Sequence, residues 1–322
     1  MQLRFLGTSA GVPTRTRNVS ALALTFEGQR RWTLIDCGEG TQQQLMRTPL
    51  SAARLEAVLI THIHGDHCYG LPGLLASASM AGRQTALIIV GPQAVRAYLE
   101  AVTATTGLHL GFELIHVDAA TLVDESLALP DITVRVARLS HGVECYAYSF
   151  EERHIEARLD VEQLKADGVT PGPLWGRLQR GETVIDEQGR QLYGADYRLP
   201  SRAARRLVVA GDNDTPDLLA EFCQGADALV HEATYTEAVI AHLGTDNGHS
   251  SAARTAAFAE RAGLEHLILT HFSPRYVSHL GAAHSIADIE TEARQHFGGT
   301  LMLAEDLAVF ELSRDHRLYR CE

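Results

Sequence analysis

Hydrophobic and polar residues alternate along two segments of this chain and form short unbroken apolar runs along several others. Alternation places every second side chain on one face of a strand, so the spacing of Leu22 and Leu24 predicts one strand and that of Ile132 and Val134 another. Short apolar runs are typical of strands buried on both faces. Such runs occupy residues 57–60, 87–90, 207–210, 228–230 and 267–269.

Helical periodicity appears between several of these strands. Four segments place apolar residues three and four positions apart, which lines one face of a helix: residues 93–103, 215–223, 250–262 and 286–296. Ser285 directly precedes the last segment and is expected to be its N-cap. Strands interleaved with helices predict an α/β fold built in layers. We interpret residues 1–322 as one domain, although this length also allows two.

Residues 151–206 interrupt the alternation of strands and helices. This stretch is charged, contains a Pro/Gly cluster at residues 170–176, and has weak turn signals at Gly181 and Gly189. Its apolar residues are sparse, so we do not expect it to form a core of its own. The pattern therefore favours an arm inserted into the single domain over a second domain.

Composition excludes several classes of protein. The chain is 45% hydrophobic and 21% charged, which is typical of a soluble globular protein. No apolar run approaches the roughly 18 residues that cross a bilayer, and the first residues do not resemble a secretory signal. The five cysteines are odd in number and form no C-x-x-C pair, which argues against disulfides and a thiolate zinc site. We expect reduced thiols and a cytoplasmic protein.

The charge is distributed unevenly along the chain. A formal net charge of −12 argues against nucleic acid as a partner. Residues 1–31, however, hold five Arg and one Glu, and residues 170–206 hold seven Arg and four acidic residues. All basic residues except Lys165 are arginine, which suits bidentate phosphate contacts, although genomic base composition would produce the same bias.

Aromatic residues lie among the arginines of the inserted segment. Trp175, Tyr193 and Tyr197 stand within its basic part. Arginine interleaved with aromatic side chains suits RNA, which is bound through its phosphates and by stacking on its bases. The simpler alternative is a solvated surface insertion, because such loops often have no partner. We favour contact with RNA by shape rather than by sequence.

Three histidines and one aspartate lie close together in the stretch THIHGDH, residues 61–67, directly after a predicted strand. Imidazole nitrogens and carboxylate oxygens bind zinc at about 2.0–2.2 Å. His62 and His64 are two positions apart, so an extended backbone aims them the same way. The glycine that follows permits a turn, which brings Asp66 and His67 to a second point. This spacing favours two adjacent metal ions over one.

Three later strands are also followed by possible ligands. His141, Asp212 and His271 each come directly after a predicted strand. Open α/β sheets place their ligands at the carboxyl ends of strands. Each residue alone is a weak candidate, but their shared position makes all three candidates for the same metal site.

The order H-x-H-x-D-H, then isolated His, Asp and His at strand ends, resembles the metallo-β-lactamase superfamily. Five longer stretches are much more specific than the metal motif and are spread along most of the chain: FLGTSAGVP at 5–13, DCGEGTQ at 36–42, GLPGL at 70–74, HEAT at 231–234 and THFS at 270–273. They resemble the ribonuclease Z family, the tRNA 3′-processing endoribonucleases, in its short bacterial form, and this resemblance extends over nearly the whole chain.

This resemblance implies an αββα sandwich with two Zn²⁺ ions between the sheets. The same donor types also accept Mn²⁺ or Co²⁺. The family pattern assigns three ligands to each metal and one residue that bridges them. One metal is assigned to His62, His64 and His141, the other to Asp66, His67 and His271, and the bridge to Asp212.

The resemblance also implies that the chain binds precursor tRNA and forms a homodimer. Residues 13–18 resemble the family's loop near the tRNA acceptor end, and residues 151–206 resemble its protruding arm, which grips the tRNA elbow. Asn213 and Ser251 depart from the family pattern, which has threonine at both positions, and are expected to adjust hydrogen bonds near the site. The implied tRNA contacts are Arg15, Arg17, Asn18, Gly172 and Pro173.

Hydrolysis of a phosphodiester needs a nucleophile, neutralisation of charge and a proton for the leaving oxygen. Two metals about 3.5–4 Å apart supply the first two by activating a water that bridges them. By resemblance, His249 is the candidate proton donor and Glu232 orients it. The alternative is that neither residue is catalytic: Glu232 would be a solvated acid at a strand end, and His249 would stand at the start of a helix. Asp66 is a second candidate for proton transfer.

Two other functions compete with an RNA-processing endonuclease. A small-molecule hydrolase of the same fold, either a phosphodiesterase or a thioesterase, needs neither the arm nor the 13–18 loop. A non-catalytic RNA-binding relative is expected to have lost some metal ligands, whereas all seven are present here. Both features therefore favour the endonuclease.

Overall fold

The computed structural model describes residues 1–153, 155, 157–243, 248–279 and 282–321. The described chain divides into two compact units. The larger unit comprises residues 1–129, 133–151 and 205–322, and the smaller unit comprises residues 130–132 and 152–204. None of the described helices is long and apolar enough to cross a membrane.

Both units contain strands and helices. The strands in chain order are β1 Gln2–Gly7, β2 Ala21–Thr25, β3 Trp32–Ile35, β4 Leu55–Leu59, β5 Leu87–Gly91, β6 Leu114–Asp118, β7 Leu127–Ala128, β8 Ile132–Leu139, β9 Cys145–Glu152, β10 Arg158–Leu159, β11 Thr183–Ile185, β12 Gln191–Tyr193, β13 Arg198–Leu199, β14 Arg206–Ala210, β15 Ala228–Glu232, β16 His266–Thr270, β17 Thr300–Leu303, β18 Val309–Leu312 and β19 Leu318–Arg320. The helices are α1 Thr41–Leu45, α2 Gly65–Cys68, α3 Leu71–Met80, α4 Gln93–Thr106, α5 Val161–Ala166, α6 Pro173–Gln179, α7 Glu237–Leu243, α8 Ala252–Arg261 and α9 Ile286–Arg294.

The first sheet of the larger unit has eight strands, in the order β19-β18-β1-β2-β3-β4-β5-β6. Strands β1 to β3 are antiparallel, and β3 to β6 are parallel. Helices α3 and α4 cover its outer face, where Leu75 and Leu99 pack with Leu34, Val58 and Ile89. Apolar residues on successive positions of β4 are buried on both faces, as the short runs predict.

The second sheet has seven strands, in the order β17-β16-β15-β14-β9-β8-β7. Strands β14 to β17 are parallel, and β9 is antiparallel to β14. Helices α8 and α9 cover its outer face, where Phe258 and Ile289 pack with Leu229, Leu267 and Leu269. Parallel strands with helical connections carry their carboxyl ends to one edge of the sheet, which is where the site lies.

The inner faces of the two sheets meet. Leu22 and Ile35 of the first sheet line the same cavity as Val209 and Val230 of the second. The Tyr148 hydroxyl of β9 donates to the backbone carbonyl after β4 at 2.6 Å. The larger unit is therefore an αββα sandwich, which confirms the α/β fold class and the layering that the resemblance implies.

Most predicted elements of the larger unit are present, with small changes at their ends. The alternating segments form β2 and β8, and helix 93–103 is α4, which continues to Thr106. Ser285 caps α9 as expected, because its hydroxyl accepts from Ala287 while the Asp288 carboxylate accepts from the Ser285 amide at 2.8 Å. Helix 250–262 is α8 and begins after the N-cap Ser251.

The predicted helix over residues 215–223 is wrong. A short 3-10 turn, Pro216–Leu219, occupies this segment and is followed by turns. Leu219 and Cys223 are buried, but Leu218, which directly precedes Leu219, is 51% exposed. The segment therefore lacks the continuous apolar face that stabilises a longer helix.

The smaller unit has a core, so the expectation that its apolar content is too sparse is wrong. Helices α5 and α6 pack with the strand pairs β10–β13 and β11–β12. Gly181 and Gly189, the two turn signals, have positive φ angles of 83° and 78°. Six buried side chains form this core: Leu164, Val169, Leu178, Val184, Leu192 and Tyr197.

An ion pair between a buried arginine and a half-buried glutamate ties the two sheets of the larger unit together. Arg205, just before β14, is 1% exposed and donates to both carboxylate oxygens of Glu27 at 2.7 and 2.9 Å. It also donates to the carbonyl of Leu312 at the end of β18 at 2.8 Å. The hydrogen bond from Arg205 outweighs burial and lowers the pKa of Glu27 from 4.5 to about 2.

We expect Arg205→Met to lower the free energy of unfolding by about 3 kcal/mol, because it leaves Glu27 without its buried partner. The matched control is Arg320→Met, which removes an exposed partner of Glu305 and is expected to cost less than about 1 kcal/mol. Urea denaturation at pH 7 measures both. The difference between wild type and Arg205→Met is expected to shrink as pH falls from 4.5 towards 2, since Glu27 is then protonated. Equal losses of unfolding free energy in both variants would contradict a stabilising role of the Arg205–Glu27 pair.

Candidate metal centre and catalytic site

Polar side chains from five strand ends meet at one edge of the sandwich. The segment after β4 supplies four of them, and β8, β14, β15 and β16 are each followed or ended by another. A ninth residue, His249, lies shortly before α8. They form overlapping groups whose possible ligand atoms all lie within 4.8 Å of one another. The residues are His62, His64, Asp66, His67, His141, Asp212, Glu232, His249 and His271.

One group contains three histidines and one oxygen of Asp212. His64 Nδ1 lies 3.1 Å from His62 Nε2 and 3.0 Å from His141 Nε2. Asp212 Oδ2 lies 3.7 Å from His62 Nε2 and 3.8 Å from His141 Nε2. The three histidines form one group of possible ligands, with Asp212 beside two of them, and we name this place the first position.

A second group uses the other oxygen of Asp212. His67 Nε2 and His271 Nε2 are 3.3 Å apart, and Asp66 Oδ2 lies 3.5 Å from the first and 3.3 Å from the second. Asp212 Oδ1 lies 3.5 Å from His67 Nε2 and 3.4 Å from His271 Nε2. We name the centre of these four atoms the second position.

The separations measured within each group are close to those between ligand atoms of a tetrahedral ion. Bonds of about 2.0–2.1 Å to a central zinc place neighbouring ligand atoms about 3.3 Å apart. The observed separations run from 3.0 Å between His64 and His141 to 3.8 Å between His141 and Asp212. The structure thus brings together all seven predicted ligands, in the two sets that the resemblance implies.

The protonation of these groups suits a cation. Burial, followed by the neighbouring His67, holds the pKa of His62 well below its usual value, which leaves this imidazole neutral and able to bind a metal. Burial opposes ionisation of Asp212, but the surrounding histidines hold its pKa well below the usual range. Burial also disfavours charge on His67, yet Asp212, Asp36 and Asp66 raise its pKa well above normal. The carboxylates of Asp66 and Asp212 face the second position, and that of Asp36 lies on the far side of the His67 ring.

Asp36 orients His67 and was not predicted as a site residue. Its Oδ2 lies 2.7 Å from His67 Nδ1, and its carboxylate accepts from the Thr61 amide at 2.7 Å and from the Thr61 hydroxyl at 2.9 Å. When Nδ1 of an imidazole is protonated and bonded, Nε2 is left free for a metal. The available signal was its place directly after the short apolar segment that forms β3 and ends at Ile35.

Backbone contacts fix a further histidine. His141 Nδ1 donates to the Gly248 carbonyl at 2.7 Å, so its Nε2 faces the first position. Gly248 has φ +76°, and a Cβ there would lie 2.8 Å from His141 Nδ1. Glycine is therefore required by both its conformation and the close approach.

His249 and Glu232 form the predicted pair, although they lie 17 residues apart. His249 Nδ1 lies 3.1 and 3.2 Å from the two carboxylate oxygens. Burial lowers the pKa of His249, but the charge and hydrogen bond of Glu232 and the charges of Asp212 and Asp66 together outweigh it and raise the pKa to about 9. His249 also lies near Asp212, yet its Nδ1 is taken by Glu232. This geometry leaves Nε2 as its reactive atom.

The two positions that depart from the family pattern have local partners. The Asn213 side chain accepts from the amides of Ser140 and Thr215 at 3.3 and 3.2 Å. Ser251 caps α8 and donates to a Glu237 oxygen at 2.6 Å. Both side chains thus stabilise the loops that carry the site and point to neighbours other than the predicted ligands.

The 13–18 loop has one unpaired cation among the described residues. Arg17 donates to the Tyr276 carbonyl and stacks on the Phe272 ring, and Asn18 donates to the Glu39 carbonyl at 2.9 Å. Arg15 is exposed. Of the three predicted contacts in this loop, Arg15 is thus the one with an exposed charge and no carboxylate partner among the described residues.

In the smaller unit, Gly172 and Pro173 are exposed at the start of α6. Many arginines there already have acidic partners: Arg177 and Arg180 bind Glu182, and Arg190 binds Asp186. The excess of arginine in the sequence therefore overstates the free positive charge.

Two of the three aromatic residues proposed for stacking belong to the core of the smaller unit. Tyr197 is buried, and Trp175 packs against the core and donates to the Val169 carbonyl at 3.3 Å. Tyr193 is 50% exposed. Among the described residues, Arg158 and Arg198 are exposed and have no carboxylate partner. Tyr193 and these two arginines are the groups that remain available.

The fold and the paired donor groups define a metal-dependent hydrolase of the metallo-β-lactamase fold. YhfI of Bacillus subtilis, a solved metallo-β-lactamase fold protein, has a TM-score of 0.65 and 20% identity, and covers 96% of this chain and 98% of its own. The solved short form of human tRNase Z has a TM-score of 0.66 and 26% identity, and the match covers 97% of this chain and 100% of the human one.

Sequence relatives give the particular family. A ribonuclease Z of Marinobacter nauticus is 47% identical over 326 residues, which covers 100% of this chain and 99% of its own. The chain belongs to the ribonuclease Z family. A family profile described as "Anti-Pycsar protein Apyc1" also matches residues 1–149.

Asp212 contributes an oxygen to both positions, so Asp212→Ala is expected to lower the metal content from two ions to at most one per chain. Asp214→Ala is the matched control, because Asp214 is two residues away and its side chain accepts from the Thr215 hydroxyl at 2.6 Å. Elemental analysis after dialysis measures both. Two ions retained in Asp212→Ala, or one in wild type, would contradict two positions that share this residue.

Proposed function

We infer that this chain is a metal-dependent endoribonuclease that removes the 3′ trailer from precursor tRNA. The observation that supports this most strongly is geometric: two tetrahedral donor groups share Asp212 and lie beside the His249–Glu232 pair. A full-length relative at 47% identity is a ribonuclease Z. The chemistry and the family point to the same reaction.

We propose two Zn²⁺ ions per chain, with Mn²⁺ or Co²⁺ as possible replacements. The first is held by His62, His64 and His141, the second by Asp66, His67 and His271, and Asp212 contacts both. When bound, two such ions activate a water as nucleophile and stabilise the charge that develops on the phosphate. The seven side chains keep these groups in place.

Charge at the site selects an anionic substrate. Two divalent cations contribute +4, and the carboxylates of Asp66 and Asp212 subtract 2, which leaves about +2 at the strand ends. A phosphodiester is attracted to this charge, whereas a neutral amide or ester gains less. The rest of the chain is strongly acidic, so the site is a local exception.

His249 donates the proton that the leaving oxygen needs. Its Nδ1 is bonded to Glu232, so Nε2 carries the proton offered to the ribose 3′-oxygen, and the raised pKa of about 9 keeps the ring charged at neutral pH. Glu232 is 1% exposed and accepts from the Asn213 amide at 2.8 Å, which holds it behind the imidazole. Asp66 binds metal and also accepts from the Gly11 amide at 2.7 Å, so it is the weaker candidate for proton transfer.

Binding of tRNA involves residues away from the metals. Arg15 contacts the acceptor end, with Arg17 and Asn18 holding the shape of the 13–18 loop. The smaller unit serves as the arm that grips the tRNA elbow, with Gly172, Pro173, Arg198 and Tyr193 on its exposed surface. We propose that the protein is a cytoplasmic homodimer.

A small-molecule phosphodiesterase is the main competitor. The Apyc1 profile covers residues 1–149 and therefore includes His62 and His141, but it excludes Asp212, His249 and His271. Assays of precursor tRNA, cyclic nucleotides and bis-p-nitrophenyl phosphate, each with and without chelator, test the proposal. Chelator-sensitive cleavage of precursor tRNA at its 3′ side is expected. Cleavage of the small diesters alone would refute it.

His249→Ala is expected to lower turnover of precursor tRNA by about 10²–10⁴-fold, because a general acid contributes this much. Metal content is expected to stay the same. Turnover of bis-p-nitrophenyl phosphate is expected to fall much less, since p-nitrophenolate leaves without a proton. The exposed His242 on α7 provides the matched control, and His242→Ala is expected to behave as wild type. Equal losses on both substrates would make His249 a structural or substrate-positioning residue.

The same pair predicts a pH effect. The rate on precursor tRNA is expected to fall as pH rises through the pKa of His249, because the charged imidazole is the donor. Glu232→Gln removes the negative charge that raises this pKa, so the falling limb is expected at lower pH. A pH profile of turnover measures the shift. An unchanged limb would show that another group is the donor.

Removing the smaller unit is expected to separate RNA binding from chemistry. Glu151 and Arg206 are paired on adjacent antiparallel strands, so a short Asn-Gly turn can replace residues 152–204 and retain Arg205. We expect kcat/KM for precursor tRNA to fall at least about tenfold and hydrolysis of bis-p-nitrophenyl phosphate to persist.

Two point variants sharpen this test. Arg198→Ala removes an exposed guanidinium without an acidic partner, whereas Arg177→Ala removes one that is bound to Glu182 at 2.8 Å. Only Arg198→Ala is expected to weaken tRNA binding. It is also expected to lower the slope of log affinity against log salt by about the amount that one phosphate contact contributes. If the shortened protein binds tRNA as tightly as wild type, the smaller unit is not the arm.

A further inference from the structure

The hydroxyl of Thr234 connects the proton-donor pair to the second metal position. Thr234 follows β15 and is 1% exposed. Its Oγ1 donates to Oε2 of Glu232 and lies 3.0 Å from Nδ1 of His271. One side chain thus contacts both the residue behind His249 and a predicted ligand.

The direction of these hydrogen bonds follows from the chemistry of a hydroxyl, which has one proton and two lone pairs. The backbone carbonyl of His271 also lies 3.0 Å from Thr234 Oγ1. The carboxylate of Glu232 is the stronger acceptor and takes the proton, so a lone pair is left to accept Nδ1–H of His271. Nε2 of His271 is then unprotonated and faces His67 Nε2 at 3.3 Å.

The same bond fixes the carboxylate of Glu232. Oε1 accepts from the Asn213 amide at 2.8 Å, and Oε2 accepts from Thr234. Two donors on opposite oxygens define the plane of the carboxylate, and both oxygens lie within 3.2 Å of His249 Nδ1. Without the hydroxyl, Oε2 would keep only its contact with His249, and the carboxylate would rotate more freely.

Packing alone does not require a hydroxyl at this position. The backbone around Thr234 is held independently, because its carbonyl accepts from the Ser273 amide at 3.2 Å and Ala233 donates to Thr270 at 2.9 Å. Valine has nearly the same shape as threonine but cannot donate or accept. The hydroxyl itself is therefore the feature to explain.

We propose that Thr234 is a positioning residue that sets the tautomer of His271 at the second metal position and the orientation of Glu232 behind His249. One hydroxyl thereby couples the occupancy of that position to delivery of the proton. This inference rests on the proposed function, since it assumes the metal at His271 and the donor at His249.

The first arm of the test measures metal binding on full-length protein stripped with chelator. Zn²⁺ titration of Thr234→Val is expected to show about 10–100-fold weaker binding of one of two ions, because the residue that orients a ligand is lost. The other ion is expected to bind as in wild type. Thr234→Ser keeps the hydroxyl and is expected to restore the weakened affinity.

The second arm compares two substrates at saturating Zn²⁺. The ratio of turnover on precursor tRNA to turnover on bis-p-nitrophenyl phosphate is expected to fall at least about tenfold in Thr234→Val, because only the RNA leaving group needs the proton. Thr234→Ser is expected to recover the ratio. A purely structural role would lower both rates together and leave the ratio unchanged.

Controls separate this inference from folding and from the proposed function. Thr236→Val alters a buried threonine of the same loop that bonds to the Tyr276 hydroxyl at 3.1 Å, and it is expected to leave Zn²⁺ affinity and the ratio unchanged. Should Thr234→Val fail to fold by circular dichroism, Thr234→Ala provides the same readouts. Wild-type affinity and ratio in the folded variant would overturn the role of Thr234. Failure of wild type to cleave precursor tRNA would instead overturn the proposed function.

Discussion

A single buried carboxylate, that of Asp212, organises the site. It is 3% exposed, and its two oxygens lie within 3.8 Å of His62, His67, His141 and His271. A buried negative charge is costly unless cations or hydrogen bonds surround it. The convergence of histidines from separate strands satisfies this requirement, and the sandwich must bring those strands together for the charge to be stable.

The surrounding hydrogen bonds determine which atom of each side chain is available. Asp36, Thr234 and the Gly248 carbonyl each occupy Nδ1 of a histidine, which leaves Nε2 for the metal positions. Glu232 likewise occupies Nδ1 of His249. A hydrogen bond at Nδ1 thus orients both the candidate ligands and the candidate proton donor. Their roles differ because their Nε2 atoms face different groups.

The two units of the chain are built differently. The larger unit holds every residue of the candidate metal centre, and its sheets are joined by the Arg205–Glu27 pair. The smaller unit has its own core around Leu178 and Leu192. Because it is inserted between adjacent antiparallel strands, such a unit can be gained or lost with little change to the strands that carry the site.

The sequence alone determined seven of the strands, three of the helices and the seven candidate ligands, because burial on a sheet and metal chemistry leave local patterns such as residues 61–67. It did not determine the turn at Pro216–Leu219 or the core of the smaller unit, since both depend on which apolar residues find distant partners. The roles of Asp36 and Thr234 were also decided by tertiary structure. A carboxylate or hydroxyl is common at strand ends, and only the fold places it within hydrogen-bond distance of a particular imidazole.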